Sequence, residues 1–317
     1  MNGSQPRIYV AGHRGMVGSA LLRELARCGY REVVTRDRAQ LDLLDQRAVQ
    51  EFVDSVKPEY IFVAAARVGG IHANDTYRAD FLYENLTIQT NLIHAAHRSN
   101  VPDLLFLGSS CVYPRDCPQP IREEYLLTGQ LEQTNEPYAI AKIAGIKLCE
   151  AYRRQYARQY ISVMPTNLYG LNDNYDLTTS HVLPALIRKA HEAKIRGDRE
   201  MIVWGSGNPR REFLFVDDLA EACVLLMEQQ RSRATELPSL INVGCGEDLT
   251  IKELARTIMD VVGFAGDIRF DTSRPDGTPR KLLDVARISR LGWKPRTRLQ
   301  TGVQLSFEDY LSRSTSN

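Results

Sequence analysis

The stretch RIYVAGHRGMVG, Arg7–Gly18, holds the reading on which the fold turns. RIYVA is short and partly β-branched, which predicts a strand. Three glycines follow at Gly12, Gly15 and Gly18, spaced G-x-x-G-x-x-G. Next come Val17, Leu21, Leu25 and Cys28 at intervals of four, four and three, one face of a helix. A glycine loop that closes a strand and opens an amphipathic helix brings bare backbone and free helix N–H groups together. That combination binds phosphate. Arg14 sits inside the loop and adds a cation to it.

Downstream, the pattern repeats. EVVT (Glu32–Thr35) predicts a second strand, and Gln46–Val56 a helix stopped before Pro58. YIFVAAA (Tyr60–Ala66) is a continuous apolar run, as in a strand covered on both faces. Glu84–Ser99 predicts a helix and DLLFLGSS (Asp103–Ser110) another buried strand. Pro137 opens a helix over Tyr138–Tyr156, and ISVMPT (Ile161–Thr166) reads as a further strand. This alternation predicts an α/β chain with a doubly wound parallel sheet of the Rossmann kind. After Thr166 the pattern loosens. HVLPALIRKAHEA and LTIKELARTIMDVVG predict helices of a smaller, partly interwoven C-terminal unit. VWGSGNPRREFLFVDDLAEA (Val203–Ala222) is expected to return to the larger one. The boundaries expected are 1–168 with part of 212–245 for the first domain, and the remainder of 169–317 for the second. The tail SRSTSN is expected to fray.

Composition narrows the classes of function. Of 317 residues, 43% are hydrophobic and 25% charged, and the formal net charge is +1. So balanced a charge gives no field toward nucleic acid or an acidic membrane surface. No apolar run reaches the ~18 residues that a bilayer requires, and the first thirty residues show no secretory leader pattern. The six cysteines, Cys28, Cys111, Cys117, Cys149, Cys223 and Cys245, are scattered without a C-x-x-C pair. This argues against a disulfide framework or a bound metal, and for reduced thiols in a cytoplasm.

Two places carry chemistry. At the end of the second strand stand Arg36, Asp37 and Arg38. An acidic residue there accepts from the ribose 2′-OH of NAD, whereas arginine accommodates the 2′-phosphate of NADP. With Arg14 and Arg38 both available, the balance favours NADP(H). The second place is NEPYAIAK, where Tyr138 and Lys142 lie four apart on one helix face. A nearby ammonium is expected to lower the tyrosine pKa, fitting it for proton transfer. Ser109, at the end of the GSS strand, offers a hydroxyl to polarise a carbonyl. Read alone, Cys111 is a packing residue and His181 a structural histidine.

The glycine loop, Ser109, Tyr138 and Lys142 together resemble the extended short-chain dehydrogenase/reductases. The stretches AGHRGMVGSA, AAARVGGI, FLGSSCVYP, NEPYAIAKIAGIKLCE, VMPTNLYG, VWGSG, REFLFVDD and RPDGTPRKLLD narrow the likeness. They are similar to the branch that epimerises GDP-4-keto-6-deoxy-D-mannose at C3 and C5 and reduces it at C4, giving GDP-L-fucose. The resemblance implies NADP(H), a GDP-sugar substrate and a homodimer. It places the epimerisation acid/base pair on Cys111 and His181, with Cys111 expected as base and His181 as acid. Cofactor contacts are implied at Gly12, His13, Arg14, Gly15, Met16, Val17, Gly18 and Arg38. Further ones fall on Leu107, Ser109, Ser110, Tyr138, Lys142, Pro165, Thr166, Asn167, Leu168 and His181. Substrate contacts are implied at Lys189, Trp204, Arg211 and Asp276. Lys189 stands where arginine is common in that branch, and Leu171 where proline is usual. Three rival readings stay open. One is the same chemistry on another GDP-4-keto hexose or heptose. Another is a 4-reductase without epimerisation, against which both Cys111 and His181 speak. The third is a catalytically silent NADP-binding protein, against which Ser109, Tyr138 and Lys142 speak.

Overall fold

The computed structural model describes residues 5–314 apart from 235 and 275. In it β1 (Ile8–Ala11) leads into α1 (Met16–Arg27), and β2 (Val33–Val34) into α2 (Gln46–Val56). β3 (Tyr60–Val63) leads into α3 (Ile71–Thr76) and α4 (Arg78–Arg98). β4 (Asp103–Leu107), α5 (Glu136–Tyr156) and β5 (Gln159–Pro165) complete the run. The chain continues through β6 (Asn167–Tyr169), α6 (Val182–Arg196), β7 (Glu200–Trp204), β8 (Arg210–Arg211) and β9 (Phe213–Phe215). Then come α7 (Val216–Ser232), β10 (Leu240–Val243), β11 (Leu249–Thr250), α8 (Ile251–Val262), β12 (Asp267–Asp271) and β13 (Arg280–Lys281). α9 (Ala286–Arg290) and α10 (Leu299–Ser314) close the described chain.

Six strands form the central sheet in the order β10-β5-β4-β3-β1-β2, and every pairing is parallel. The chain runs outward from β1 to β2, then returns to the other side of β1 for β3. That reversal opens a crevice beyond the carboxyl ends of β1 and β3, where ligands of open α/β sheets bind. The strands are apolar throughout because both faces are covered. Ile8 and Val10 of β1 enter a core with Leu21 and Leu25 of α1 and Leu219 and Cys223 of α7. Tyr9 and Ala11 enter the opposite core with Val49 and Val53 of α2, Leu92 of α4 and Ile146 of α5.

The smaller part has its own core. Leu183 and Ile187 of α6, Leu254 and Ile258 of α8, and Val303 and Phe307 of α10 pack together there. Short strands flank it: β7 pairs with β12, β6 with β9, and β8 lies between β11 and β13. Thr250 and Glu253 form a reciprocal capping box that starts α8.

Some expected elements shift. Cys28 is exposed and lies past the end of α1, whose buried face is Gly18, Ala20, Leu21 and Leu25. The third strand stops at Val63 rather than Ala66, because Gly12 packs directly against the backbone of Ala64 and Ala65. The fourth stops at Leu107; Ser109 then caps a short 3-10 turn by accepting from Cys111 N–H. α4 begins at Arg78, earlier than the apolar pattern showed. The stretch 203–222 divides. Its start belongs to the small sheets, while α7 joins the core on α1. Within the tail, α10 runs to Ser314, and 315–317 lie outside the described residues.

Candidate active site

Because the sheet is parallel, the carboxyl ends of β1, β4 and β5 open on one edge, and the expected cofactor positions gather there. Gly12–Gly18 follow β1, Leu107 to Ser110 end β4, and Pro165 to Leu168 end β5. Arg38 follows β2 and is exposed. The residues fit a dinucleotide on observations of the loop itself. Gly12 has φ +86°, and a Cβ there would lie 2.6 Å from Ala65 N. A Cβ on Gly18 would collide with the Gly12 carbonyl oxygen. Both are therefore required by the turn. Gly15 is different: its Cβ would meet nothing closer than 3.5 Å. It is the N-cap of α1 and has no side chain to satisfy the first-turn N–H groups, so those donors face the crevice. His13 Nδ1 is buried beside them without a partner. A pyrophosphate would satisfy this set.

Arg14 pairs with Asp37 at 2.8 Å. The Asp37 carboxylate also accepts from Gln40 N–H at 3.0 Å. The acid read as a ribose partner is thus held by a loop cation that remains largely exposed, with 75% of its side chain open. Arg36 turns away from this group, over the ring of Phe52 at 5.3 Å.

Lys142 is buried, and its Nζ donates to the Leu107 carbonyl at 2.8 Å. Its ammonium lies 5.7 Å from the Tyr138 ring centroid. Burial lowers the Lys142 pKa to about 8. Burial also raises the Tyr138 phenol, the reverse of the lowering expected from its lysine neighbour. The ammonium is turned onto a strand carbonyl, and desolvation of the phenol prevails. Tyr138 is half-buried. As it stands it is a neutral phenol, a proton donor.

Cys111 lies two residues beyond Ser109 in a cavity shared with Tyr113, Gln119, Thr278, Arg280 and Lys281. Burial raises its thiol, while the charges of Lys281 and Lys142 and the Ser109 hydroxyl pull it down. His181 starts α6 as its N-cap residue. The residue is exposed, and desolvation lowers its pKa. The resting pair is therefore thiol and neutral imidazole. A thiolate base has to be generated in the site, and Lys281 is the foremost cation able to stabilise it. Lys281 lies in the stretch RPDGTPRKLLD, where the sequence offers it, with Arg280, as a further phosphate candidate.

Of the residues expected on the sugar side, Trp204 ends β7 and Arg211 lies on β8 of the small sheets, whereas Lys189 lies on α6 and Asp276 in the loop before β13. Arg211 and Lys281 face each other across the β8–β13 pair. Two cations in that register repel, and burial lowers the pKa of both, an arrangement that an anion relieves. Lys189 donates to the Ile202 carbonyl at 3.3 Å and stands over the Trp204 ring at 4.5 Å. Arg274, which the sequence did not single out, lies 5.0 Å from the same ring. Asp276 accepts from both Ser206 N–H and Ser206 Oγ at 2.7 Å. Both carboxylate oxygens are thus engaged with the loop that carries Trp204.

Comparison with known proteins agrees with this layout. The family model described as "NAD dependent epimerase/dehydratase family" matches residues 8–244. The chain is 55% identical to "GDP-L-fucose synthase" of Escherichia coli (strain K12), over 97% of each chain. Its structure is similar to that of a GDP-6-OMe-4-keto-L-xylo-heptose reductase from C. jejuni, with TM-score 0.90 and 37% identity over 98% of this chain and 99% of that one. It is also similar to a GDP-L-fucose synthetase from Naegleria fowleri bound to NADP, with TM-score 0.86 and 26% identity over 99% and 98%. The glycine loop at the crevice, the Tyr138–Lys142 helix beside it and these matches make the chain a member of the NAD dependent epimerase/dehydratase family.

Proposed function

We propose that this chain converts GDP-4-keto-6-deoxy-D-mannose to GDP-L-fucose, by epimerisation at C3 and C5 followed by NADPH-dependent reduction at C4. The observation that carries the reading is one edge of one sheet holding three sets of groups: a dinucleotide loop, a neutral phenol beside a buried lysine, and a cysteine two residues past Ser109. The full-length identity to a protein named for that product supports it.

The 4-ketone makes the protons at C3 and C5 acidic. Loss of either gives an enolate whose charge rests on the C4 oxygen, and Ser109 and Tyr138 donate to that oxygen. Cys111 and His181 remove and return protons, the Cys111 thiolate being stabilised by Lys281. When bound, NADPH supplies the hydride for C4. Tyr138 protonates the C4 oxygen, and Lys142 orders the nicotinamide ribose. Reduction follows epimerisation, since loss of the ketone ends the acidity at C3 and C5. Gly12–Gly18 take the pyrophosphate, and Arg14 and Arg38 the 2′-phosphate. Arg211 and Lys189 serve the GDP diphosphate, Trp204 supplies a flat apolar face, and Asp276 holds the Trp204 loop. In this reading 1–168 with part of 212–245 bind the cofactor, and the remainder of 169–317 bind the sugar nucleotide.

We also read the protein as a homodimer in a cytoplasm. Tyr83 and Ile140 lie exposed near the starts of the packed pair α4 and α5, a face that a second copy would cover. Among the described residues, no helix is long and apolar enough to cross a membrane. The deciding experiment is incubation of the purified protein with NADPH and GDP-4-keto-6-deoxymannose, with NMR of the product. Inverted configuration at C3 and C5 and a C4 hydroxyl are expected; a product reduced without inversion would leave the heptose-reductase type of chemistry standing.

A further inference from the structure

His181 is reached by a contact from the opposite side of the cleft. The segment Arg67–Gly70 follows the end of β3, and two buried asparagines hold it. Asn85 of α4 accepts from Arg67 N–H at 2.9 Å and donates to the Arg67 carbonyl at 3.0 Å. Asn74 of α3 donates to the carbonyls of Gly69 and Gly70, at 2.6 and 3.0 Å. Asn74 is 6% exposed and Asn85 2%. Both amides spend their donors on backbone, so the segment is fixed to the cofactor side of the molecule.

Gly70 carries that fixed segment onto the other side. Its N–H donates to the Thr179 carbonyl at 2.9 Å. A Cβ on Gly70 would lie 2.5 Å from the Ser180 carbonyl oxygen and 3.4 Å from the Ser180 carbonyl carbon. These atoms belong to the peptide unit that ends in His181 N, and that unit is planar. Displacing the oxygen tilts the plane and moves His181 with it. From behind, the Thr178–Ser180 turn is held by Asp176, which accepts from Thr179 N–H at 3.0 Å and from Ser180 N–H at 2.8 Å, and by Asn174 Nδ2, which donates to Thr179 Oγ1 at 2.9 Å.

We propose that Gly70 is a positioning residue: through its N–H and its missing side chain, the Arg67–Gly70 segment sets where His181 stands relative to the sugar. The inference rests on the proton-transfer role given to His181 above. Its effect is on proton transfer at C3 and C5, because a displacement on the order of 1 Å costs about 100-fold in a reaction that needs alignment.

The test is deuterium uptake at C3 and C5 of GDP-4-keto-6-deoxymannose in heavy water, with the NADP⁺-loaded protein. Gly70→Ala should slow uptake roughly 10- to 100-fold, while the KM for the sugar nucleotide and the Kd for NADPH stay within about twofold. Asn74→Ala, which leaves Gly70 itself intact but loosens the segment, should slow uptake in the same direction by a smaller factor. On a His181→Asn background, Gly70→Ala should change the rate by less than about twofold, since residues acting as one unit are not additive. Multiplying effects in the double variant, or wild-type uptake in Gly70→Ala, would overturn the positioning role while leaving the functional reading intact. Absence of uptake in the wild type would instead remove the functional reading, and the inference with it.

Discussion

The cofactor edge and the sugar side of this molecule are built on different principles. The first stands at the ends of long-range parallel strands that are buried on both faces. Its loops are short, and their shape is set by steric contact, as Gly12 and Gly18 show. The second stands on strands of two to five residues and on loops tied by side-chain bonds such as Asp276 to Ser206. Contact between backbones leaves few permitted sequences, so it can be read locally. A pair such as Arg211 and Lys281 meets across sixty-nine intervening positions, and no local pattern announces it.

Substitutions on either side can break or sharpen this contrast. The largest effect belongs to Tyr138→Phe. Reduction, followed by loss of NADPH absorbance, should fall by about 10²–10⁴, with NADPH affinity within twofold; unimpaired turnover would remove the phenol from the chemistry. Gly18→Ala should come next, with loss of soluble protein or a large drop in Tm, since the Gly12 carbonyl cannot yield. Gly15→Ala should instead fold with Tm within a few degrees and bind NADPH less tightly. Equal behaviour of the two would mean that the loop is not shaped by steric contact.

On the sugar side, Lys281→Met should raise the KM for the sugar nucleotide roughly tenfold and shift the pH profile of C3 and C5 exchange. Loss of a neighbouring cation raises a thiol pKa, so the rise in exchange should move to higher pH; an unmoved profile would separate Lys281 from Cys111. Arg14→Leu should cost NADPH about tenfold more than NADH, because it removes a cation and frees the Asp37 carboxylate. Equal losses would place the 2′-phosphate elsewhere.

The smallest effect concerns stability. Lys142 falls from 10.5 to about 8 on burial. Below about pH 8 both folded and unfolded chains carry the charge, and the folded one bears its desolvation. Between about 8 and 10.5 the unfolded chain binds more protons, so stability rises with pH. The Tm of wild type relative to Lys142→Met should therefore climb over pH 8 to 10, by a few degrees. A flat difference would mean that burial of the lysine is already compensated.

The central sheet was legible because its strands are apolar on both faces and its helices are periodic. Gln46–Val56 was bounded as the structure has it, with Pro58 marking its end. Errors came where tertiary contact overrides pattern. Cys28 keeps the helical interval but lies beyond the helix. Ala64–Ala66 are apolar yet leave the sheet to receive Gly12. Within the site, Tyr138 and Lys142 were visible from spacing, but the direction of the phenol shift was not. It depends on where the lysine points and on how dry the cleft is, neither of which a sequence interval encodes. Gly70 stood in plain view in RVGG, but its partner lies more than a hundred residues on.

Glu212 has a practical consequence for anyone retargeting this scaffold to a different sugar. Its carboxylate is fully buried and accepts from Gly246 N–H at 2.7 Å and Leu283 N–H at 3.0 Å. Its own carbonyl accepts from Thr166 Oγ1 and Asn167 Nδ2, at 3.2 and 2.8 Å. One residue thus fastens three distant chain segments. Loop grafts that keep Glu212 with its four partners keep these three segments joined, whereas exchanges that cut through this junction release them from one another.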